Sequence, residues 1–237
     1  MDYPPPGRRA FDPHSSGLHA GAEAPPARPN WARRVNTIGE VLVTLGLVVL
    51  LFGAYEFWGK AWRMDRDQHG LDRDLDRLWA AAAVPRRGEP IGRLYIPRLH
   101  KKWVVVNGVG AASLAKGPGL YPGRDRAGDV GNVAIAGHRM PSVFWNLDRL
   151  RTADPIIAET RTGWYVYRVV GLRVVRPTQV EVVARNPDRP GARPGRRLMT
   201  LTTCNPKFEN YQRLVVRAEL SRVQSKRAGR PAELSAR

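Results

Sequence analysis

Three side chains in this sequence have the types and the order for nucleophilic thiol chemistry: His138, Cys204 and Arg213. Cys204 is the only cysteine among 237 residues, so it has no partner for an intramolecular disulfide. It closes the strand-like run "RLMTLTTC", immediately before the turn pair Asn205-Pro206. A lone cysteine taken by itself reads as a small buried hydrophobe. Its place argues for more, because strand ends and the loops after them are where sites are built. A free thiol has a pKa of ~8.5 and is only a few per cent ionised at neutral pH, so a reactive one needs help. The next strand-like run, "RLVVRAEL", begins at Arg213. A hairpin between the two runs brings that guanidinium near the sulfur, where it favours developing negative charge. Of the five histidines, His14 and His19 lie in a polar head, His69 in a charged segment and His100 in a turn. His138 alone ends an apolar run, "NVAIAGHRM", and Gly137 before it permits close backbone approach. It is the candidate general acid and base.

The elements that must position these residues are short. From Ile91 onward, apolar runs alternate with Gly/Pro-rich turns: "IGRLYIP", "KWVVVN", "NVAIAGH", "PIIAET", "WYVYRVVGLRVV", "RLMTLTTC" and "RLVVRAEL". That spacing predicts an all-β barrel or sandwich. Two short helices are expected near "AASLAKG" and "VFWNLDRL". Before the β region, residues 59–87 read as a charged helical stalk with a weak apolar stripe of Leu71, Leu75, Leu78 and Trp79, broken by Pro85 and Pro90. Residues 221–237 read as a disordered basic tail.

Residues 1–34 are rich in Pro, Gly, Ala and Ser and read as a disordered tail. Residues 35–58 follow as a membrane-spanning helix. There is no charge from Val41 to Tyr55, and ~1.5 Å of rise per residue carries the run across a ~30 Å hydrocarbon core. The run starts late for a signal peptide and lacks a small-residue cleavage site. Arg28, Arg33 and Arg34 before the span balance Lys60, Arg63 and Arg66 after it, so the positive-inside count is a tie. Formal charge is +18, and residues 59–220 alone hold 29 basic and 15 acidic residues. Such a surface suits anionic partners, but the basic residues are scattered rather than striped, which disfavours nucleic acid. No carboxylate cluster has calcium spacing, and no zinc or phosphate-loop motif is present, so neither metal nor cofactor is expected.

The composite of "GVGAASLAKGPGLYPG", "VGNVAIAGHR", "FWNLDRL" and "LTTCNPKF" resembles the sortases, cysteine transpeptidases of Gram-positive surfaces, and in particular the class E sortases of actinobacteria. "TLTTC" matches the family's T-L-x-T-C, with the His upstream and the Arg downstream, over roughly residues 88–220. The resemblance implies a closed eight-stranded sortase β-barrel, a cytoplasmic N-terminus and an extracellular catalytic domain on a single-pass plasma-membrane anchor. It implies cleavage of an LAxTG-like sorting signal between Thr and Gly through a Cys204 thioacyl intermediate. His138 then serves as acid and base, and Arg213 holds the substrate carbonyl or oxyanion. The implied partners are surface proteins with C-terminal sorting signals and a peptidoglycan precursor amine. Tyr121 is expected to contact the second signal position, and Thr203 to shape the substrate groove. Two other readings stand beside this one: a membrane-tethered cysteine hydrolase of the same fold, and a non-enzymatic basic module that binds the wall.

Overall fold

The computed structural model describes residues 30–55, 60–123 and 125–235, which divide into two units at residue 51. The first unit ends within the helix α1, Asn30–Ala54, and holds most of it. Its stretch Val35–Ala54 is long and apolar enough to cross a membrane, and none of it is buried inside the protein. Residues 1–29 of the expected tail and residues 56–58 of the expected span lie outside the described residues.

The second unit holds all the β structure. Its strands are β1 Pro90–Ile96, β2 Lys101–Asn107, β3 Gly119–Leu120, β4 Gly131–Ala136, β5 Pro155–Glu159, β6 Gly163–Val175, β7 Arg197–Asn205 and β8 Gln212–Ser225. They close into one barrel in the order β1-β2-β3-β4-β7-β8-β6-β5. Closure pairs every strand on both sides, although the two-residue β3 covers only part of β2 and β4. All pairings are antiparallel except β2 with β3 and β4 with β7. Seven of these strands arise from the apolar runs named above. The eighth, β3, is a two-residue strand inside "GPGLYPG", too short for periodicity to reveal.

Alternation sorts the side chains into two faces. Val133 and Ile135 of β4, Met199 and Leu201 of β7, and Leu214, Val216 and Ala218 of β8 fill the interior. The segment after β4 plugs one end of the barrel. Phe144, Leu147 and Leu150 join the core, and Phe144 meets Trp103 edge-on at 5.3 Å between ring centroids. Trp103 also donates from Nε1 to the Ser142 carbonyl at 2.7 Å. The two expected helices appear as α3, Ala111–Leu114, and a short 3-10 turn, Leu147–Arg149.

The expected helical stalk is α2, Lys60–Ala80, and it lies on the barrel. Leu71 and Leu75 pack against Val104 and Val106 of β2, and Met64 reaches the main core. The Gln68 amide takes the place of a neighbouring strand. It accepts from the Val104 N–H at 2.7 Å and donates to the Val104 carbonyl at 3.1 Å, where β2 has not yet met β3. Arg93 of β1 adds ion pairs to Asp72 and Asp76. The C-terminal segment is not an unstructured tail from Ser221. Residues 221–225 continue β8 against β6. Glu233 then pairs with Arg168 and Arg222 at 2.9 and 2.7 Å, and Leu234 packs on the outer cluster of Ile157, Trp164 and Val166. Polar composition hid this segment because ion pairs rather than apolar periodicity hold it.

Candidate active site

Register brings the three candidate residues toward one end of the barrel wall. β7 and β8 form a hairpin in which Cys204 lies directly opposite Arg213. Residues so paired have Cβ atoms about 4.5–5.5 Å apart. On the other side of β7, the parallel ladder with β4 runs to Ala136 opposite Thr202, and Gly137 donates to the Thr202 carbonyl at 3.0 Å. Two residues further along each chain lie His138 and Cys204. Adjacent strands are ~4.8 Å apart, so both sit at the C-terminal ends of neighbouring parallel strands. The core residues Met199 and Leu201 of β7 and Leu214 and Val216 of β8 face inward. Cys204 and Arg213, in the alternate positions, therefore face outward, and continuing the β4 alternation turns His138 to the same side.

This outer face is walled by the connection between β6 and β7. Its 3-10 turn, Val180–Val183, sets Val182 and Val183 against Ala134, Val175 and Val215. Asn132 anchors the connection by donating to the Val182 and Ala184 carbonyls at 3.3 and 2.9 Å, and it accepts from Thr200 Oγ1 at 2.8 Å. The groove above this wall is open at the chemistry: Cys204 is half-buried and His138 exposed. The His138 ring has no hydrogen-bond partner among the described residues, so its nitrogens are available for proton transfer. Arg213 is held by its own loop, with Nη1 donating to the Asn210 and Gln212 carbonyls at 2.6 and 2.8 Å. Its Nε and Nη2 have no protein partner among the described residues and can donate to a ligand oxygen.

Gly137 explains how His138 is fixed. A Cβ at that position would come within 2.6 Å of Phe144 and 2.9 Å of Val143. Only a glycine lets the barrel plug press against the backbone beside the histidine.

Tyr121 lies beside this face. Its hydroxyl is 3.4 Å from Thr202 Oγ1, and its ring packs on the outer cluster with Ala134 and Val215. Thr203 does not share the groove. It alternates with Cys204, faces the interior, and is 3% exposed, with its Oγ1 buried and unpartnered. The threonine on the outer side of β7 is Thr202, itself only 5% exposed, which reading the sequence alone passed over; period-two alternation from Cys204 picks it out. Arg139 was missed as well. It is charged and adjacent to His138, yet its side chain is 5% exposed and reaches the Cys204 carbonyl at 3.3 Å. A cavity of about 570 Å³ is lined by Leu94, Val105, Val133, Ile135 and Met199 and reaches Tyr121, but none of His138, Cys204 and Arg213 lines it.

A sortase domain model matches residues 94–221. Sortase SrtE2 of Streptomyces coelicolor is 30% identical over 216 residues, which cover 81% of this chain and 84% of that protein. The structure of sortase E from Streptomyces avermitilis is 36% identical and superposes with a TM-score of 0.57 over 63% of this chain and 99% of its own. Sortase E1 from Streptomyces coelicolor, solved with a tripeptide in the active site, is 28% identical, with a TM-score of 0.58 over 64% of this chain and 99% of that one. With a closed eight-stranded barrel, an apolar N-terminal helix and these likenesses, the chain belongs to the sortase family of transpeptidases, on its class E side.

Proposed function

We propose that this sortase cleaves an LAxTG-like sorting signal between Thr and Gly and joins the new Thr carboxyl end to an amine of a cell-wall precursor. The observation that carries the reading is the register of Cys204 opposite Arg213, with His138 two residues beyond the end of the neighbouring strand β4. The Cys204 thiolate attacks the Thr carbonyl carbon, and the oxyanion that forms takes hydrogen bonds from Arg213 Nε or Nη2. The C–N bond breaks as His138 gives its proton to the leaving glycine amine, which leaves a thioester on Cys204. The acceptor amine then gives a proton to His138, attacks the thioester carbon and expels the thiolate. The tripeptide in the active site of sortase E1 from Streptomyces coelicolor supports a peptide as the substrate class. Tyr121, beside Thr202, is suited to contact the second signal position. α1 spans the plasma membrane with its N-terminus cytoplasmic and the barrel outside, where sorting signals and wall precursors meet.

Product analysis tests this. An LAxTG peptide incubated with the enzyme and a stem-peptide amine gives the amide-linked product, and without the amine gives slow hydrolysis at the same bond. Hydrolysis alone with the amine in excess identifies a hydrolase instead. An intact peptide in both arms shows that the signal is a different one.

A further inference from the structure

The ladder between β4 and β7 ends before the chemistry begins. Its last rung is the Gly137 N–H on the Thr202 carbonyl at 3.0 Å; the His138 carbonyl accepts from the Phe144 N–H at 3.1 Å, and no backbone rung joins His138 to Cys204 among the described residues. A buried arginine continues the connection. Arg139 Nη1 donates to the Cys204 carbonyl at 3.3 Å and to Asn205 Oδ1 at 2.7 Å, while Nη2 lies 3.2 Å from Asp148 Oδ1. Asn205 Nδ2 passes the chain on to Gln212 Oε1 at 2.9 Å. Asn205 and Gln212 are register partners one rung beyond Cys204 and Arg213.

The three members are each the sequence neighbour of a reactive residue: Arg139 of His138, Asn205 of Cys204, Gln212 of Arg213. Alternation turns Asn205 and Gln212 away from the outer face, so the chain underlies the reactive residues without entering the groove. A buried guanidinium is costly unless its charge is met and its donors are used. Here Asp148 meets the charge at Nη2 and the Cys204 carbonyl and Asn205 take Nη1, while Nε is buried without a partner among the described residues. Lysine offers a point charge in place of the planar fork and cannot make these contacts together.

Building on the assignment of Cys204 as nucleophile, we infer that Arg139 is a positioning residue which, through Asn205 and Gln212, fixes the spacing of His138, Cys204 and Arg213. Its effect falls on the chemical step rather than on substrate binding, because misplacement by about 1 Å can cost on the order of 100-fold in rate.

The test uses the full-length protein in detergent, with Arg139→Lys, Gln212→Ala and Cys204→Ala beside the parent. Steady-state cleavage of an LAxTG peptide gives kcat and KM, and the pH profile of iodoacetamide alkylation reads Cys204 without any substrate. Arg139→Lys lowers kcat on the order of 10- to 100-fold with KM within about twofold, and it alters the alkylation profile. Gln212→Ala, at the partly exposed end of the chain, does the same more weakly with an unchanged unfolding midpoint, and it decides the matter if Arg139→Lys does not fold. Both variants within about threefold of the parent in kcat and unaltered in alkylation, or a loss confined to KM, overturns the inference. If the parent does not cleave the peptide, the proposed substrate has failed and the alkylation profiles alone decide the positioning role. Cleavage by Cys204→Ala would instead remove the nucleophile on which the inference rests.

Discussion

Arg213 offers a separation of charge from shape. Its Nη1 is tied to the carbonyls of Asn210 and Gln212, which aims the rest of the guanidinium at the space beside Cys204. If directed donation to an oxyanion is its work, Arg213→Lys keeps the charge and still loses ~10²–10³ in single-turnover acylation, nearly as much as Arg213→Ala. Substantial rescue by lysine would show that the field of the charge suffices. Thr203 gives the opposite kind of prediction. Its hydroxyl is buried without a partner on the interior side of β7, and an unmet buried hydroxyl costs about 1–3 kcal/mol. Thr203→Val therefore raises stability on the order of 1 kcal/mol in denaturant titrations and leaves turnover within about twofold. A large rise in KM would place Thr203 in the groove after all. The candidate residues stood out in the sequence because their types are rare: one cysteine, and one histidine closing an apolar run. The face of Thr203 was legible too, because adjacent strand residues point to opposite sides, so alternation from Cys204 turns Thr203 inward.

Among the elements, α2 shows how ion pairs and a narrow apolar stripe together dock a charged helix. Burial works against the charge of Asp72, but hydrogen bonds from Lys102 and Arg93 outweigh it, and the carboxyl is held below its ordinary range. A depressed folded value means that the stabilisation is fully present above the unfolded value of ~3.9 and is lost as pH falls through the folded value. Asp72→Asn is thus expected to destabilise the barrel by about 1 kcal/mol near neutral pH, with the gap to the parent closing as pH falls through the folded value. Urea midpoints across that range measure it, and a gap independent of pH would contradict the assignment. The sequence stripe of Leu71, Leu75 and Trp79 signalled an amphipathic helix. It could not say what covers the stripe, since the covering residues, Val104 and Val106, come from a strand some thirty residues away. The same limit hid the C-terminal segment. Glu233 finds Arg168 and Arg222, and Lys226 pairs with Glu159 under Trp164, only once the barrel has closed.

For the molecule as a whole, strand order is the functional fact. Reading along the chain gives seven apolar runs, and the family resemblance supplies the closed eight-stranded barrel. In that barrel β4 and β7, far apart in sequence, become parallel neighbours, and the β7–β8 hairpin sets the arginine against the cysteine. Each pairing brings one reactive residue to the same outer face, beyond a wall made by the connection between β6 and β7. The central claim is that a single thiol carries the acyl group between two amines. Its most direct test is the intact mass of the full-length protein after brief exposure to an LAxTG peptide without acceptor. The parent gains the mass of the N-terminal fragment through Thr less one water, the gain disappears on adding hydroxylamine, and Cys204→Ala shows neither the gain nor cleavage. An adduct on Cys204→Ala, or cleavage by that variant at the parent's rate, contradicts the account.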